Sequence, residues 1–577
     1  MASTSVSEAL ADMEPSTTPL EPEPATLRED ELFLDDPQKE EKRKERRKSI
    51  LLLVLLITCA VSFTMCAVFI PMIILWTRPP VSGLTPSFVI FTDPHIDAKY
   101  ADGTATTCTD SFICCRNGTG DAGYWGSGNA EHQYNCDIPD RTMYAAVDNA
   151  GDRWDAHDIR GLVNITHVLF LGDAQAHTED YEQTRELVVE RMKTAFKLIT
   201  DRFPSLPAIP ILGNHDTTPY NQMGWGPEWS WLYDGAFGIW NATLLGYNLT
   251  AEDQATLRYA GYYTIQPFKA VKWAREPLTS LRFICLNSQL WEIKNQLNRN
   301  ATTKALLEDP AGQFAWLRSQ LARAKQEGVK VHLLQHIPMG FLPSTSTPGS
   351  GAAQMHPQYM AAERDALLAY PDVVTAIFTG HVHSGFFRLL LSRDGDLTST
   401  ALVPQFSNPA ISTWRGMNPA VHSYTYTPAD MQVTDIFRWQ LPLAKANAAA
   451  KAGDKSLHWE MAFSYADLLN VPSLNASSLT SYVDNLFTVP VDQWGDSAKT
   501  DPMGSLLKLT FANDAPQTMA NSTSQAVRQA FACSLTVMGS EQAFAGCRLR
   551  PRSAMHMNGV EMEICDNSVD VTTGPEW

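Results

Sequence analysis

Five short apolar segments of this chain each end in side chains that bind metal ions. Each segment is rich in β-branched and aliphatic residues, which is typical of a strand that is buried on both faces. The clusters that follow the segments are Asp93-Pro-His95, Gly172-Asp173, Gly213-Asn-His-Asp216, His336 and Gly380-His-Val-His383. Because open α/β folds place their sites where the carboxyl ends of parallel strands meet, we expect the five clusters to converge.

The five clusters offer more donors than one tetrahedral ion can use. Carboxylate and amide oxygens together with imidazole nitrogens suit Zn, Mn or Fe ions. Two metal ions that share a bridging carboxylate would use the whole set, and two-metal sites serve in-line displacement at phosphorus. The sequence therefore predicts a binuclear centre with seven candidate ligands, which are Asp93, His95, Asp173, Asn214, His336, His381 and His383.

The order of these motifs resembles that of the calcineurin-like metallophosphoesterase superfamily. D-x-H, G-D, G-N-H-D, a single His and G-H-x-H follow one another along the chain, each after a predicted strand. The resemblance implies an α/β fold, in which a β-sandwich is flanked by helices. It also implies a division of the ligands: Asp93, His95 and His383 hold one ion, Asn214, His336 and His381 hold the other, and Asp173 bridges both.

A closer resemblance, to the acid sphingomyelinase family, extends from about residue 86 to residue 440. The similar segments are Cys108-x5-Cys114-Cys115-Arg116-x-Gly118, Ala122-Gly-Tyr-Trp-Gly126, Cys136-Asp-x-Pro-x-Arg-Thr142, Gly213-Asn-His-Asp-Thr-Thr-Pro219, Pro310-Ala-Gly-Gln-x-x-Trp-Leu317 and Asn418-Pro419. The resemblance implies disulfides that pair Cys108 with Cys114 and Cys115 with Cys136. Acid sphingomyelinase also carries a saposin domain, a six-cysteine helical module that presents lipid. No such cysteine set precedes residue 87 here, so activity on vesicle lipid is expected to depend on anchoring or detergent.

Two histidines are candidates for proton transfer. His215 follows the ligand Asn214, and we expect it to face the phosphate and to protonate the leaving oxygen. His177, in Gly-Asp-Ala-Gln-Ala-His, matches a second catalytic histidine of the acid sphingomyelinase family. At acidic pH both imidazoles are expected to be protonated. Asp97 and Asp216 are interpreted as carboxylates that orient histidines.

The expected activity is that of a phosphoric diester hydrolase with two divalent metal ions, and zinc is the metal that we expect first. No Ser, Cys or Thr in the motifs has the setting of a nucleophile, so we expect direct attack of metal-bound hydroxide on phosphorus. Sphingomyelin, cleaved to ceramide and phosphocholine, is the leading candidate substrate. Hydrolysis of nucleotides or polyphosphates is an alternative within the enzymes, and a catalytically inactive, receptor-like ectodomain is an alternative of a different class. The intact ligand set argues against the receptor.

A membrane anchor is predicted near the N-terminus. Residues 50–76 contain no charged side chain and follow a basic run at residues 42–48. At ~1.5 Å per residue, such a helix is ~40 Å long and exceeds the ~30 Å hydrocarbon core of a bilayer. The positive-inside rule places the basic run in the cytosol. We therefore expect a single-pass type II protein, held to its own membrane by one signal-anchor helix, with its catalytic domain in a lysosome- or vacuole-like lumen or outside the cell.

Sequons and cysteines agree with this orientation. Eight of the ten cysteines follow the predicted span, as expected in an oxidising compartment. Cys533, Cys547 and Cys565 are an odd set, so one of them either pairs with Cys285 or stays free. All seven glycosylation sequons also follow the span, at Asn117, Asn164, Asn241, Asn248, Asn300, Asn475 and Asn521.

Composition and charge complete the predicted organisation. The formal charge of −18 argues against a nucleic-acid partner and suits an acidic lumen, where protonated carboxylates reduce self-repulsion. Helices are predicted at residues 181–202, 312–327 and 358–370. The aromatic stretch at residues 225–240 is interpreted as a packed insertion, and a ligand cage is the alternative. The predicted parts are a disordered cytosolic tail (1–49), the anchor (50–76), a linker (77–86), the catalytic domain (87–440) and a helical C-terminal subdomain (441–577).

Overall fold

The computed structural model describes most of the chain from residue 85 onward. The described residues are 85–109, 111–127, 135–155, 164–247, 249–267, 279–343, 351–414, 417–456, 459–488, 505–506, 509, 533–539, 543–544 and 547. All of them belong to one compact unit, Pro80–Trp577. Among these residues, no helix is both long enough and apolar enough to cross a membrane. The predicted tail, the predicted anchor and most of the predicted linker lie outside the described residues.

The described residues form fourteen strands and nine α-helices. The strands are β1 (Ser87–Phe91), β2 (Ile165–Phe170), β3 (Ala208–Pro210), β4 (Tyr263–Ile265), β5 (Leu281–Cys285), β6 (Lys330–Leu334), β7 (Phe341–Pro343), β8 (Gly351–Ala353), β9 (Val374–Thr379), β10 (Phe386–Leu391), β11 (Ala401–Ser407), β12 (Ala420–Tyr426), β13 (Val433–Gln440) and β14 (Glu460–Ser464). The helices are α1 (Asp140–Asp155), α2 (Arg185–Arg202), α3 (Ser230–Gly246), α4 (Ala251–Ala260), α5 (Gln313–Glu327), α6 (Pro357–Leu368), α7 (Leu443–Lys451), α8 (Tyr465–Leu469) and α9 (Ala476–Thr488).

Twelve of these strands make two mixed six-stranded sheets. Sheet A has the order β14-β13-β12-β1-β2-β3, and sheet B has the order β10-β11-β9-β6-β5-β4. Parallel pairing joins β1, β2 and β3 in sheet A, and β5, β6, β9 and β11 in sheet B. Antiparallel strands complete one edge of sheet A, through β12, β13 and β14, and both edges of sheet B, through β10 and β4. All five ligand-bearing segments of the sequence are parallel strands, as predicted.

The two sheets pack face to face through a buried aromatic cluster. The Phe88 ring on β1 stacks on His167 at 4.6 Å and on Tyr424 at 4.8 Å, both within sheet A. Phe88 also meets Phe378 of sheet B edge-on at 5.3 Å, and His167 meets Phe283 of sheet B at 5.0 Å. All five side chains are fully buried. The β-sandwich implied by the resemblance is therefore confirmed.

Helices cover the outer faces of the sandwich. Helices α2 and α3 contact β3 of sheet A, α5 contacts β5 and β6, and α9 contacts β10 and β11 of sheet B. The predicted helices at 181–202, 312–327 and 358–370 are present as α2, α5 and α6. Helix α2 begins only at Arg185, because the Thr184 hydroxyl caps it by accepting a hydrogen bond from the Leu187 amide at 3.2 Å.

The region after residue 440 requires a correction. Strand β14 pairs antiparallel with β13, so a segment assigned to a helical C-terminal subdomain is the edge strand of sheet A. Helices α7, α8 and α9 follow the predicted helical character, and most residues beyond 488 lie outside the described part. The aromatic stretch at 225–240 lies mainly on α3, where Tyr233 and Trp240 are buried in the core, so it is a packed element.

One buried carboxyl group makes stability depend on pH. Glu363 on α6 is fully buried, and burial raises the pKa of its carboxyl from 4.5 to about 8, with the Gln335 amide offsetting only part of the shift. Below pH 4.5 the folded and unfolded states both hold this proton. Between pH 4.5 and 8 the unfolded chain releases the proton while the folded chain retains it, so rising pH favours unfolding.

We predict that the catalytic domain loses stability as pH rises from 5 to 8, and that Glu363→Gln reduces the loss. A shift of this size corresponds to at most about 4 kcal/mol over that interval. Thermal unfolding midpoints of the two proteins across the pH series measure the effect. Asp365→Asn, which removes an exposed carboxylate from the same helix, is the matched control and should leave the slope unchanged. A Glu363→Gln slope equal to the wild-type slope would contradict the assignment.

Candidate active site

The strand ends of both sheets meet at one edge of the sandwich. Strands β1, β2 and β3 contribute the first four predicted ligands, and β6 and β9 of sheet B contribute the other three. Backbone hydrogen bonds continue between the loops beyond the strands, from the Asp93 amide to the Gly172 carbonyl and from the His95 amide to the Asp173 carbonyl. The loop order therefore reproduces the strand order, and the ligands are brought together.

One group of donors surrounds the carboxylates of Asp93 and Asp173. The His383 Nε2 atom lies 3.5 Å from Asp93 Oδ1, and the His95 Nε2 atom lies 3.5 Å from Asp173 Oδ2. The two ring nitrogens of His95 and His383 face each other at 3.1 Å. This is the group that the sequence assigns to the first ion.

The second group shares Asp173 with the first. His336 Nε2 lies 3.1 Å from Asp173 Oδ2 and 3.0 Å from Asn214 Oδ1. His381 Nδ1 lies 2.7 Å from the same Asn214 oxygen. The Asn214 amide nitrogen donates to Asn221 Oδ1 at 2.8 Å, which turns the Asn214 oxygen towards the histidines. Asp173 thus lies between the two groups, as a bridging ligand must.

The chemistry of the donor set fits two divalent cations. Both carboxylates are buried, and among the described residues their ion-pair partners are all histidines. Ring nitrogens and oxygens that converge in this way need positive charge between them. Burial lowers the pKa of His336, but the charges of Asp173 and Asp93 outweigh burial and raise it to about 10. A metal ion would supply the charge that this proton supplies.

Burial favours the neutral form of the other imidazoles. It holds the pKa values of His95, His381 and His383 well below 6.5, and neighbouring histidine charges lower them further. Neutral imidazole is the form that binds a metal ion. His95 Nδ1 and His336 Nδ1 donate to the carbonyls of Gln175 and Leu171 at 2.8 and 2.7 Å, which leaves Nε2 of each ring for the site.

The backbone at this edge is strained. Five of the seven candidate ligands have φ angles between 44° and 70°, the left-handed region that non-glycine residues rarely adopt; these five are Asp93, His95, Asp173, His381 and His383. Such conformations cost free energy and persist where the surrounding structure fixes them, often at functional sites. Here the left-handed turns point consecutive side chains back towards the sandwich edge.

The motif glycines make room for the ligands. A Cβ atom at Gly213 would overlap the carboxylate of Asp173, and a Cβ atom at Gly380 would overlap Thr92 and Asp93. Gly172 has a φ of 92°, and a Cβ atom there would overlap the backbone at Gly213. The glycines before Asp173, Asn214 and His381 are therefore needed because neighbouring strand ends approach too closely for any side chain.

His215 and His177 lie together beside the first donor group. Their rings meet at 4.5 Å, and both contact the His95 ring, His177 by stacking at 3.9 Å and His215 edge-on at 4.9 Å. The His215 amide donates to Asp173 Oδ1 at 2.7 Å, and its ring stacks on Tyr220 at 5.2 Å. Within the described part of the chain, the buried His215 Nδ1 atom has no hydrogen-bond partner. Both histidines are therefore placed to face a group bound between the ligands.

Burial opposes the expected protonation of His215 at acidic pH. Burial, together with the charge of His177, lowers the pKa of His215 to about 3, and the opposing charges of Asp173 and Asp137 do not compensate. The surroundings of His215 in this structure therefore favour the neutral imidazole.

Two carboxylates have different roles from those expected. Asp216 accepts hydrogen bonds from the amides of Asp173, Ala174 and Gly213 at 2.8–2.9 Å, so it holds two ligand loops together and contacts no histidine ring by hydrogen bonding. Asp97 forms a bidentate ion pair with Arg116, with nitrogen–oxygen distances of 2.8 and 2.9 Å. Within the described part of the chain, neither carboxylate accepts a hydrogen bond from a histidine ring.

The carboxylate that does orient a histidine is Asp137, which the sequence reasoning missed. It accepts hydrogen bonds from the His177 amide at 2.7 Å and lies 3.0 Å from His177 Nδ1. Trp414, also missed, stacks on the other face of His177 at 4.3 Å. Asp137 lies inside the Cys136-Asp-x-Pro segment, so the motif contained the signal, but nothing in the local sequence indicates its partner 40 residues away.

Comparison with known proteins identifies the family. Residues 87–385 match the calcineurin-like phosphoesterase family, which is more than half of the chain. The chain is a calcineurin-like phosphoesterase. The resemblance to the acid sphingomyelinase family, stated from the motifs, is also confirmed by individual relatives.

The phosphoesterase is similar to proteins that are named for two different activities. It is 27% identical to human (Homo sapiens) sphingomyelin phosphodiesterase over 402 residues, which cover 67% of this chain and 55% of that protein. It is 26% identical to human cyclic GMP-AMP phosphodiesterase SMPDL3A over 408 residues, which cover 70% of this chain and 78% of that protein. Sphingomyelinase phosphodiesterase C of Dictyostelium discoideum is 23% identical over 400 residues, covering 67% of this chain and 79% of that protein.

Disulfides place the catalytic domain in an oxidising compartment, which is lumenal or extracellular. The phosphoesterase has the pairs Cys108–Cys114 and Cys115–Cys136 that the resemblance implies, and also Cys533–Cys547. Among the described cysteines, Cys285 is buried and forms no disulfide, and Cys565 lies outside the described residues. Of the sequons, Asn248 and Asn521 are also outside them, and the five that are described are exposed or half-buried at Asn117, Asn164, Asn241, Asn300 and Asn475.

We predict two metal ions per chain and an unequal cost of losing two of the ligands. Asp173→Asn should release both ions more readily than Asn214→Ala, because Asp173 contacts both donor groups and Asn214 contacts one. Elemental analysis of the purified protein, before and after dialysis against a chelator, measures both effects. A wild-type stoichiometry of one or less after metal loading would contradict the bridged pair.

Proposed function

We propose that the chain is a metal-dependent phosphodiesterase of the acid sphingomyelinase type. The observation that carries the proposal is the arrangement of six donor side chains around the shared carboxylate of Asp173. Two histidines that are not needed as ligands lie beside one donor group. Divalent cations held by this set would neutralise charge on the phosphoryl oxygens and activate water. The intact donor set disfavours the receptor-like alternative.

The ligands proposed for each ion follow the two donor groups. Asp93, His95 and His383 would hold one ion, Asn214, His336 and His381 the other, and Asp173 both. The carbonyls of Gln175 and Leu171 hold two of the imidazoles in the required orientation, and Gln354 Oε1 lies 3.0 Å from His381 Nε2 in the same role. The strained turns would then be stabilised by metal binding.

His215 and His177 would act on the phosphate and its leaving oxygen. A bound phosphate places negative charge beside the His215 ring, which favours the imidazolium and opposes the effect of burial. The proton-donating form of His215 is therefore expected with substrate bound and not in the free site. From that state His215 would donate a proton to the leaving oxygen, and His177 would donate a hydrogen bond to a phosphoryl oxygen.

We predict that His215→Ala leaves metal content and the unfolding midpoint nearly unchanged but lowers turnover roughly 10²–10⁴-fold. The loss should shrink for a substrate with a nitrophenolate leaving group, which departs without a proton. Steady-state rates on an alkyl and a nitrophenyl phosphodiester give the comparison. His356→Ala, which alters a histidine outside the donor groups, is the control. Equal losses on both substrates would show that His215 does not protonate the leaving group.

Two substrate classes are supported. Sphingomyelin is the leading candidate, because the motifs of this chain resemble those of the acid sphingomyelinase family and the chain is 27% identical to human sphingomyelin phosphodiesterase. A soluble nucleotide diester is the second candidate, because a relative of similar identity is a cyclic GMP-AMP phosphodiesterase and is covered over more of its length. The shared chemistry is an anionic phosphodiester with an alkoxide leaving group.

A substrate panel tests the proposal. Purified protein, loaded with zinc, would be assayed against sphingomyelin in detergent, cyclic GMP-AMP and inorganic polyphosphate at several pH values between 4 and 8. We predict that one diester of the first two is cleaved with a kcat/KM at least about 10² above the other, since buried polar groups reject a poorly matched substrate. Hydrolysis of none of the three would overturn the proposed phosphodiesterase activity.

The proposed setting of the enzyme is a type II membrane protein with an N-glycosylated lumenal or extracellular domain. The apolar segment at 50–76 after a basic run supports the anchor. None of the five described sequon asparagines is fully buried, which supports glycosylation.

A further inference from the structure

The His177 ring has neighbours on three sides. One of them, His95, is a proposed metal ligand, and the other two, Trp414 and Asp137, are not. Its ring lies between Trp414, at 4.3 Å and 12° to its plane, and His95, at 3.9 Å. On its Nδ1 edge lies the carboxylate of Asp137, with Oδ1 at 3.0 Å and Oδ2 at 3.1 Å. A ring nitrogen of His177 is also within 4.8 Å of donor atoms of His95 and His383. The ring therefore has one orientation towards the site.

Hydrogen bonds also fix the position of the Asp137 carboxylate. Its carboxylate is fully buried and accepts hydrogen bonds from the His177 amide at 2.7 Å and from the Ser412 hydroxyl at 2.8 Å. The Ser412 amide donates to the Asp93 carbonyl at 3.0 Å. Asp137 is thus tied to a strand end that carries a proposed ligand, and the distance between His177 and that strand end is set through it.

We propose that Asp137 is the positioning residue of His177: it fixes the ring edge that His177 presents to the phosphodiester, and Trp414 fixes the ring plane. The inference rests on the catalytic role proposed for His177. The orientation does not depend on which partner carries the proton of the Nδ1 hydrogen bond, because the same two atoms are joined in either case. Asp137 acts on the reaction only through His177 and has no contact of its own with substrate.

A double-mutant cycle separates this role from a purely structural one. Asp137→Asn keeps the shape of the side chain but opposes an amide N–H to one of the donors around it. It should lower kcat about 10–100-fold on bis(nitrophenyl) phosphate with little change in KM. In a His177→Ala background the same substitution should change kcat less than about twofold, since the residue through which it acts is already absent.

Two further variants keep the test decisive. Ser412→Ala removes the hydrogen bond to Asp137 and also the bond that the Ser412 hydroxyl accepts from the Trp414 amide at 3.0 Å. Both bonds support the His177 ring, and the Asp137 carboxylate itself stays in place. The variant should therefore give a smaller loss of kcat than Asp137→Asn, and that loss should also vanish in the His177→Ala background. Asp253→Asn is the matched control. It removes a buried carboxylate that lies outside the site and accepts a hydrogen bond from the Thr264 amide, with a length of 2.8 Å. This substitution should lower stability without lowering kcat. If Asp137→Asn fails to fold, Ser412→Ala carries the cycle.

Several outcomes would overturn the proposal. These are an unchanged kcat in Asp137→Asn, equal losses with and without His177, or a loss that is explained by metal content alone. A crystal structure of Asp137→Asn gives a readout that needs no activity: the His177 ring should have lost its single orientation, and an unmoved ring contradicts the inference. A wild-type protein that cleaves no phosphodiester would instead contradict the proposed function, and the ring orientation would still decide the role of Asp137.

Discussion

The buried carboxylate of Asp173 is the interaction on which the site depends. One oxygen faces His336 and His95, and the other accepts the His215 amide. Its backbone amide is held by Asp216, and its carbonyl accepts the His95 amide. Burial alone would raise the pKa of Asp173, but His336 and the neighbouring groups hold it well below its usual value. One residue thus joins loops from three strands and two sheets, and a displacement here would move both donor groups.

The strain at the strand ends follows from the same convergence. Ligands from adjacent strands can share an ion only if the loops turn back sharply, and the turns place five ligands in the left-handed region. The motif glycines remove the Cβ atoms that would prevent neighbouring loops from touching. The cost of the strained turns is offset by the sandwich, whose two sheets are packed through Phe88 and its neighbours below the site.

The sequence predicted the parts of the fold and site that depend on local patterns. Apolar strands that end in ligands, and glycines beside them, can be recognised because each is a short segment with its own chemistry. It missed Asp137 and Trp414 and misassigned Asp97 and Asp216, because a carboxylate in a sequence does not reveal its hydrogen-bond partner. Strand β14 was missed for a similar reason: it is one edge strand, and only its pairing with β13 shows that it belongs to the sheet.

Burial favours the uncharged form of both the acids and most of the imidazoles in this domain. It raises the pKa of Glu363 and Glu292 to about 8 and that of Asp137 to about 7, and it holds the pKa values of His95, His381 and His383 well below 6.5. At mildly acidic pH the first two acids are therefore protonated and uncharged, which avoids the cost of a buried charge. The three imidazoles are neutral at the same pH, so protons do not compete with metal ions for them. His336 is the exception among the proposed ligands, because the charges of Asp173 and Asp93 raise its pKa to about 10. A metal ion must therefore displace the proton of this one imidazole, while the three neutral imidazoles are ready to bind it.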